Sequence, residues 1–413
     1  MTSRRLLLLV MCIGYFLVLL DVTVVNVALP SITRGLGASV TGQQAVVVGY
    51  TVALASLLLP AGAYGDRVGH RPVVLAGLAV VGLGSLGCGL APSVAALVVA
   101  RVVQGVGAAV LLPGTLATIA DTHPDPAERA RAIAVWAAVG SVALPAGPLV
   151  GGLLVEAFGW RSVFLLNGPV VVAAGLVVAR IAPRGPHSGP AEPGPRRALA
   201  LFRRPAFTTA NAVAGAMNFG SVALLFLTSL YLQEVQHRSA AEAGLAMVPV
   251  TLPLAVVPPL AGRWVARRGP APVAATGLVV AATGVGLLAT WDSGTPFFAL
   301  LPALVVWGCG LGTLTPAVVT AAVAAAPPDR SGLASGVNNT ARQAGGALGI
   351  AAYGALAGSP TDPGRFLAGL HAAGLATSVL YAVAALACLR WLSGLRPTSA
   401  ASRSPGRPVR ARP

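Results

Sequence analysis

The sequence predicts an all-α integral membrane protein with twelve transmembrane helices in two repeats of six. Three observations support this fold class. The 413 residues are 55% hydrophobic and 10% charged, with a mean hydropathy of +0.79. Uncharged apolar runs of about 20 residues, each long enough to cross a hydrocarbon core as a helix, recur along the chain. A polar turn between two such runs is repeated 200 residues later.

Twelve apolar runs are candidates for membrane spans. The first begins after two arginines like a secretory signal, but it continues without a small-residue cleavage site, and we interpret it as a membrane helix. In chain order the runs cover residues 6–29, 45–64, 72–90, 93–120, 132–155, 162–181, 207–235, 241–265, 272–290, 297–324, 331–358 and 367–392.

The repeat is visible when residues 61–80 are aligned with residues 261–280. Nine positions are identical, where so Ala-, Val-, Gly- and Leu-rich a chain would match by chance at about two. If the polar turn lies on the same side of the membrane in both copies, each repeat contains an even number of spans. The predicted domains are an N-terminal bundle over 1–181, a linker over 182–206, a C-terminal bundle over 207–392 and a disordered Arg-rich tail over 393–413.

The net charge of +16 indicates topology here, and no nucleic-acid partner is expected. Of the 28 basic residues, 22 fall in the even-numbered connections and the two tails, four fall in the other connections, and two fall within spans. By the positive-inside rule, both termini are cytoplasmic. The predicted location is the inner (plasma) membrane, with the lipid bilayer as a partner.

Two opposite charges are predicted deep within the membrane. Asp21 lies eight residues from Leu29, about 12 Å below the outer end of the first helix. Arg101 lies eight residues from Ser93 on a helix that runs the opposite way, so the two share a depth. Because a lone charge there costs on the order of 3 kcal/mol or more, we expect a pair whose acid carries the coupled proton. A merely structural ion pair is the alternative.

The turn over residues 62–71 resembles the signature between the second and third helices of the major facilitator superfamily. Asp66 could face the partly positive N-terminus of a helix from the other half, near Ser331, and Asp121 could pair with Arg67 or Arg71. In the second copy Ala266 replaces the acid. Ordinary positive-inside charges are the alternative to a gate. The predicted cytoplasmic gate comprises Gly62, Asp66, Arg67, Gly69, Arg71 and Asp121.

Further motifs resemble the drug:proton antiporter family whose members usually have fourteen helices. They are residues 20–30 in the first span, 101–107 in the fourth, 147–152 in the fifth and 338–346 in the eleventh. The resemblance implies two six-helix bundles around a central cavity that exchange outward-open and inward-open states. Since the linker of about 25 residues cannot hold two extra spans, the chain looks like a twelve-helix relative.

The fifth-span motif has a physical interpretation of its own. Its prolines remove backbone donors and bend the helix, while its glycines let a neighbouring helix approach closely, which suits a hinge. Ordinary packing of small residues is the alternative. The hinge residues are Pro145, Gly147, Pro148, Gly151 and Gly152.

Polar residues in other spans are candidates for lining the cavity. Arg101 and Gln104 share one face of the fourth helix, and Asn338, Asn339 and Arg342 share one face of the eleventh. Interhelical hydrogen bonds are the alternative. The full set of cavity candidates is Asn26, Gln104, Asn218, Asn338, Asn339 and Arg342.

No sequence signature of an enzyme is present, and neither a cofactor nor a metal is expected. The predicted function is proton-coupled export of amphipathic small molecules by a monomer. Proton-symport uptake of a metabolite and a non-transporting membrane sensor or scaffold are the alternatives. With one deep acid and two intramembrane arginines, the sequence favours neutral or weakly anionic compounds over dications.

Overall fold

A computed structural model describes residues 3–182, 200–327 and 331–395, which form helices and turns and contain no strand. We refer to 3–182 as the N-terminal half and to 200–395 as the C-terminal half. The N-terminal helices are α1 (Ser3–Leu36), α2 (Val40–Val68), α3 (His70–Gly89), α4 (Val94–Thr122), α5 (Pro126–Phe158), α6 (Ser162–Leu165) and α7 (Asn167–Ile181). The C-terminal helices are α8 (Pro205–Leu230), α9 (Ala240–Ala246), α10 (Val248–Thr251), α11 (Pro253–Arg268), α12 (Pro270–Gly286), α13 (Phe297–Ala324), α14 (Ser331–Ala357) and α15 (Pro363–Trp391).

The helices agree with the predicted spans in order, and several are longer than the apolar runs. Within the described residues, ten helices or helix pairs are long and apolar enough to cross a membrane, and α5 is an eleventh if its two bent parts are counted together. The remaining predicted span is α14, which is 27 residues long but carries two asparagines and an arginine on one face.

Two regions of the C-terminal half depart from the regular helical pattern. The predicted span 241–265 is divided into α9, α10 and α11, and Pro253 begins the last of these. The end of α8 continues as a π-helix over Tyr231–Val235. The predicted linker shortens because α8 begins at Pro205, and its residues 183–199, like the tail 396–413, lie outside the described part of the chain.

The duplication predicted from the repeated turn is visible in the packing. In the N-terminal half α3 packs on α4, and in the C-terminal half α12 packs on α13. A Cβ added at Gly77 would lie 2.9 Å from the backbone nitrogen of Leu111, and one added at Gly277 would lie 2.8 Å from that of Leu314. The two halves therefore use the same close helix approach at positions 200 residues apart.

Several helices join the halves. Helix α2 packs on α14, and α5 packs on α9 and α11. A buried apolar cluster continues across this boundary, from Val24 and Leu29 of α1 to Leu227 and Leu230 of α8. We call the end of the bundle that carries the turn 62–71 the motif end and the other end, where α1 ends and α2 begins, the opposite end.

Candidate functional site

The predicted pairing of Asp21 with Arg101 is confirmed. Helix α1 places Asp21 and helix α4 places Arg101 so that one guanidinium nitrogen bonds Oδ2 of the carboxylate. Their side chains are only 4% and 1% exposed, so the pair is removed from water. The Arg101 Nε also donates to the backbone oxygen of Val46 in α2, at 3.1 Å. Three helices of the N-terminal half thus meet at this guanidinium.

Gln104 is the centre of a polar network around the pair. Its Oε1 accepts from the Arg101 guanidinium at 2.8 Å, and its Nε2 donates to Asp21 Oδ1 at 3.0 Å. The same Nε2 donates to Ser85 Oγ at 2.9 Å, and Asn167 Nδ2 donates to that Oγ at 3.1 Å. Gln104 contacts the Asp21 carboxylate, and its predicted place in the substrate cavity stays a prediction.

Sequence reasoning missed Ser85 as a member of this network. Ser85 is fully buried on α3 and follows Gly84, which has no side chain to keep α4 away. A Cβ added at Gly84 would lie 2.7 Å from the backbone nitrogen of Gln104. The signal was present in the sequence, as a serine beside a glycine in an apolar span, but such pairs are common in membrane helices.

Aromatic rings and a small cavity complete the surroundings of the pair. The Arg101 guanidinium lies 4.3 Å from the ring centre of Tyr50, whose hydroxyl donates to the backbone oxygen of Val18 at 3.2 Å. A cavity with room for about one water molecule is lined by Asp21, Gln104, Asn167 and apolar side chains. The Asp21 carboxylate thus lies beside a space that can hold about one water molecule.

At the motif end, the turn between α2 and α3 is shaped by Gly69, whose φ of 93° favours glycine. Arg71 donates to the backbone oxygen of Ala179 in α7, within the same half. Asp121 lies 3.6 Å from His70, a contact that the sequence analysis did not foresee when it assigned Arg67 or Arg71 to this acid. The side chain of Asp66 and that of Ser331 lie outside the described part, so the gate stays a prediction.

The predicted bend in the fifth span is confirmed. The segments Arg131–Gly140 and Pro145–Phe158 of α5 are inclined at 44°. Beyond the bend, Gly147 and Gly151 contact Thr23 and Val24 of α1. Gly152 lies against the other half, where an added Cβ would be 2.5 Å from the backbone oxygen of Ala240. The motif therefore packs on α1 and on the start of α9.

Polar contacts join the halves at the opposite end. Ser229 Oγ donates to the backbone oxygen of Asn26 at 2.9 Å, and Gln233 donates to that of Val27 at 3.1 Å. Glu156 accepts from Ser239 Oγ at 2.8 Å and from the Ala241 backbone nitrogen at 3.2 Å, so it spans from α5 to the first turn of α9. The backbone of Asn26, a predicted cavity residue, thus belongs to this closure.

The other cavity candidates lie on α8 and α14. Asn338 is buried and bonds Asn211 of α8 at 3.4 Å, which fits the interhelical alternative. Asn218, Asn339 and Arg342 are half-buried. The Nε atom of Arg342 is buried and has no hydrogen-bond partner. On α14, Asn338 therefore has a hydrogen-bond partner, whereas the Nε of Arg342 has none.

Comparison with known proteins identifies the family. The model of the Major Facilitator Superfamily matches residues 11–350 and 252–411, which together cover nearly the whole chain. The chain belongs to the Major Facilitator Superfamily. It is a membrane transporter and not an enzyme.

Curated relatives in this superfamily are resistance proteins of bacteria. A methylenomycin A resistance protein of Streptomyces coelicolor is 32% identical over 404 residues, covering 84% of this chain and 85% of the relative. A puromycin resistance protein of Streptomyces alboniger is 32% identical and covers 97% of this chain and 94% of the relative. A tetracenomycin C resistance and export protein of Streptomyces glaucescens is 33% identical, covering 85% and 76%.

Solved structures share the fold. A bacterial homologue of the human lysosomal transporter Spinster, in an inward-facing and unoccupied conformation, has a TM-score of 0.77 with 21% identity and covers 95% of this chain and 98% of its own. The nucleoside transporter NupG has a TM-score of 0.75 with 14% identity, covering 93% and 99%. At this level of identity the similarity concerns the superfamily fold.

Proposed function

We propose that the protein exports amphipathic small molecules across the bacterial inner membrane, driven by protons that Asp21 carries. The buried network around Asp21 is the observation that supports proton coupling. Relatives whose names specify resistance to methylenomycin A, puromycin and tetracenomycin C support export of drug-like compounds. Positive-inside topology supports cytoplasmic termini, so the motif end is the cytoplasmic end in this proposal.

The network surrounds the Asp21 carboxylate with donors. The Arg101 guanidinium and the Gln104 amide both donate to it. If a proton binds Asp21, Arg101 becomes a buried charge without a counterion, which is costly at this depth. Protonation therefore favours a rearrangement of α1 against α4, and this links proton binding to conformation.

The closure at the opposite end provides the other element of an alternating-access cycle. Helices α1 and α5 meet α8 and α9 there through hydrogen bonds, and the small face of α5 allows close contact. Helix α1 carries both Asp21 and the backbone oxygen of Asn26, five residues later. A shift of α1 on protonation would therefore disturb the closure. In this cycle, protons enter from the opposite end and leave at the motif end.

The test is substrate-driven proton flux in proteoliposomes across a panel that includes puromycin, methylenomycin A and tetracenomycin C. Asp21→Asn should abolish accumulation against a gradient while substrate binding is retained, because asparagine keeps the shape but carries no proton. Asp125→Asn is the matched control, since Asp125 is an exposed N-cap of α5 and asparagine caps equally well. Concentrative transport by the Asp21→Asn protein would contradict the proposal.

A further inference from the structure

The buried surroundings of Arg342 lack the partner that an intramembrane arginine needs. Its Nε is buried without an acceptor, and no carboxylate among the described residues forms an ion pair with it. A buried guanidinium in a membrane protein normally pairs with an acid or a backbone oxygen, or lines a wet cavity. Arg101, whose side chain is 1% exposed, has both an acid and a backbone oxygen as partners. Arg342 is thus a fixed positive charge with unused donors.

Arg342 lies near the N-terminal half at the level of two aromatic rings. It belongs to α14, and its charge is close enough to Tyr15 of α1, in the other half, for the two groups to influence each other. Tyr15 is stacked on Trp136 of α5, with ring centres 3.8 Å apart and planes inclined by 12°. The arginine and the stacked pair therefore lie on the two sides of the boundary between the halves.

The aromatic pair is held rigidly and is not fully covered. The Trp136 indole donates to Thr115 Oγ1 of α4 at 3.3 Å, and a Cβ added at Gly140 would meet the Tyr15 ring. Both rings remain half-buried. A stacked pair fixed in this way presents flat apolar area at a small loss of conformational freedom, which favours binding of another flat ring.

These three residues share a depth that differs from that of Asp21. Counted from the helix starts at the same end, Tyr15, Trp136 and Arg342 lie about 15 to 18 Å along their helices, whereas Asp21 lies about 27 Å along α1. Asn218, at about 20 Å along α8, adds a half-buried amide at nearly the same level. The group is thus separate from the proton site by roughly two helical turns.

We propose that a planar aromatic anion binds between the halves, with its acidic group on Arg342 and its ring against Tyr15 and Trp136. A planar guanidinium offers parallel donors to a carboxylate or phenolate, which supplies the missing counterion. The flat pair supplies the apolar contact. The inference rests on the proposed export function and specifies its substrate class as weakly acidic aromatic compounds.

Three probes with one ring system separate charge from shape. They are anthracene-2-carboxylate, anthracene-2-carboxamide and the cation 2-(aminomethyl)anthracene, titrated by fluorescence anisotropy against the full chain in lipid nanodiscs. Empty nanodiscs correct for partition into lipid. The carboxylate should bind at least about tenfold more tightly than the carboxamide, as expected for charge-assisted hydrogen bonds to a desolvated group, and the cation should bind most weakly.

Variants assign the preference to individual residues. Arg342→Gln should make carboxylate and carboxamide bind equally, Arg342→Lys should retain part of the difference, and the exposed control Arg365→Gln should retain all of it. Trp136→Leu should weaken both compounds by the same factor, because it removes only ring contact. If Arg342→Gln does not fold, Arg342→Lys must still reduce the carboxylate preference severalfold for the inference to stand.

Equal affinity of the carboxylate and the carboxamide in the unmodified protein overturns the inference, and so does a preference that survives Arg342→Gln. Failure of the proposed function has a different signature. The Asp21→Asn protein should still prefer the carboxylate to the carboxamide, since Arg342 is unchanged in it. Asp21-dependent export of a cation without Arg342-dependent binding of the carboxylate would retain the function and exclude this site.

Discussion

The two halves share their scaffold but differ in where they carry charge. Gly77 and Gly277 pack in the same way, and so do Gly84 and Gly284, each against the backbone of the following long helix. The residue that Gly84 faces is Gln104, which organises the network of Asp21. The residue that Gly284 faces is Trp307, a buried ring. Both halves therefore have the same glycine packing, and the network around Asp21 belongs to the N-terminal half.

The two intramembrane arginines sharpen this contrast. Arg101 of the N-terminal half bonds a carboxylate, an amide and a backbone oxygen and lies over a ring. Arg342 of the C-terminal half has a buried Nε with no acceptor. An arginine that bonds a carboxylate can tune a proton site, and an arginine with an unpaired donor can bind a ligand. The halves are therefore expected to respond differently to equivalent substitutions.

Removing the Arg101 guanidinium should have the largest effect on transport. Arg101→Gln leaves Asp21 buried without its counterion, a change of about 3 to 5 kcal/mol when one partner of a buried pair is lost. The buried carboxylate then lacks the guanidinium that balances its charge. The pH profile of substrate exchange should therefore change, and Arg101→Lys should change it less, because lysine keeps the positive charge. An unshifted profile with Asp21 still essential would mean that the two groups are not coupled.

Matched glycine substitutions test whether the shared packing is independent of the charge. Gly84→Ala and Gly284→Ala each force a methyl group against the backbone of the neighbouring helix, and each should destabilise by about 1 to 3 kcal/mol. Thermal unfolding should therefore respond similarly in both. Proton-driven transport, normalised to folded protein, should fall only for Gly84→Ala, because only that methyl group displaces Gln104. Equal loss of coupling in both variants would contradict the proposed asymmetry.

The motif turn carries an acid, Asp66, that its copy lacks. Asp66→Ala should weaken closure of the motif end by about 1 kcal/mol, a shift of roughly fivefold in the population of the closed state, if its carboxylate faces a helix N-terminus. Labelling of Asn339→Cys from the cytoplasmic side, in a background without the four native cysteines, reports this shift. Ala266 of the copy carries no acid, so Ala266→Gly is the control. Unchanged labelling in Asp66→Ala would exclude the gate.

The closure at the opposite end should respond most weakly. Glu156→Gln loses a charged acceptor at the start of α9, but the side chain is exposed and the expected change is below about 1 kcal/mol. Labelling of Ser229→Cys from outside should rise by up to a few fold. Arg34→Gln should have almost no effect, since the Arg34 side chain is 66% exposed in its contact with Glu234. A larger effect for Arg34 than for Glu156 would contradict the assignment of Glu156 to this closure.

The sequence alone determined the membrane architecture. Apolar runs of membrane-spanning length, the repeated turn and the bias of arginine fix the number, order and relationship of the helices, because hydrocarbon leaves the backbone few alternatives. It also determined that Asp21 and Arg101 meet, since two deep charges on neighbouring helices at one depth have strong reason to pair. The bend of α5 followed from Pro145 and Pro148.

The tertiary structure decided which polar residues form hydrogen bonds with which partners. Helical spacing alone predicted Gln104 and Arg342 equally as cavity residues, yet Gln104 bonds Asp21 and the Nε of Arg342 has no acceptor. Asn338 bonds α8, and the backbone of Asn26 bonds Ser229. Periodicity gives the face of a helix but not its neighbour, and the direction of a side chain depends on helix rotation and separation. Those are set by close contacts, such as Gly84 on Gln104, that form only when the helices pack.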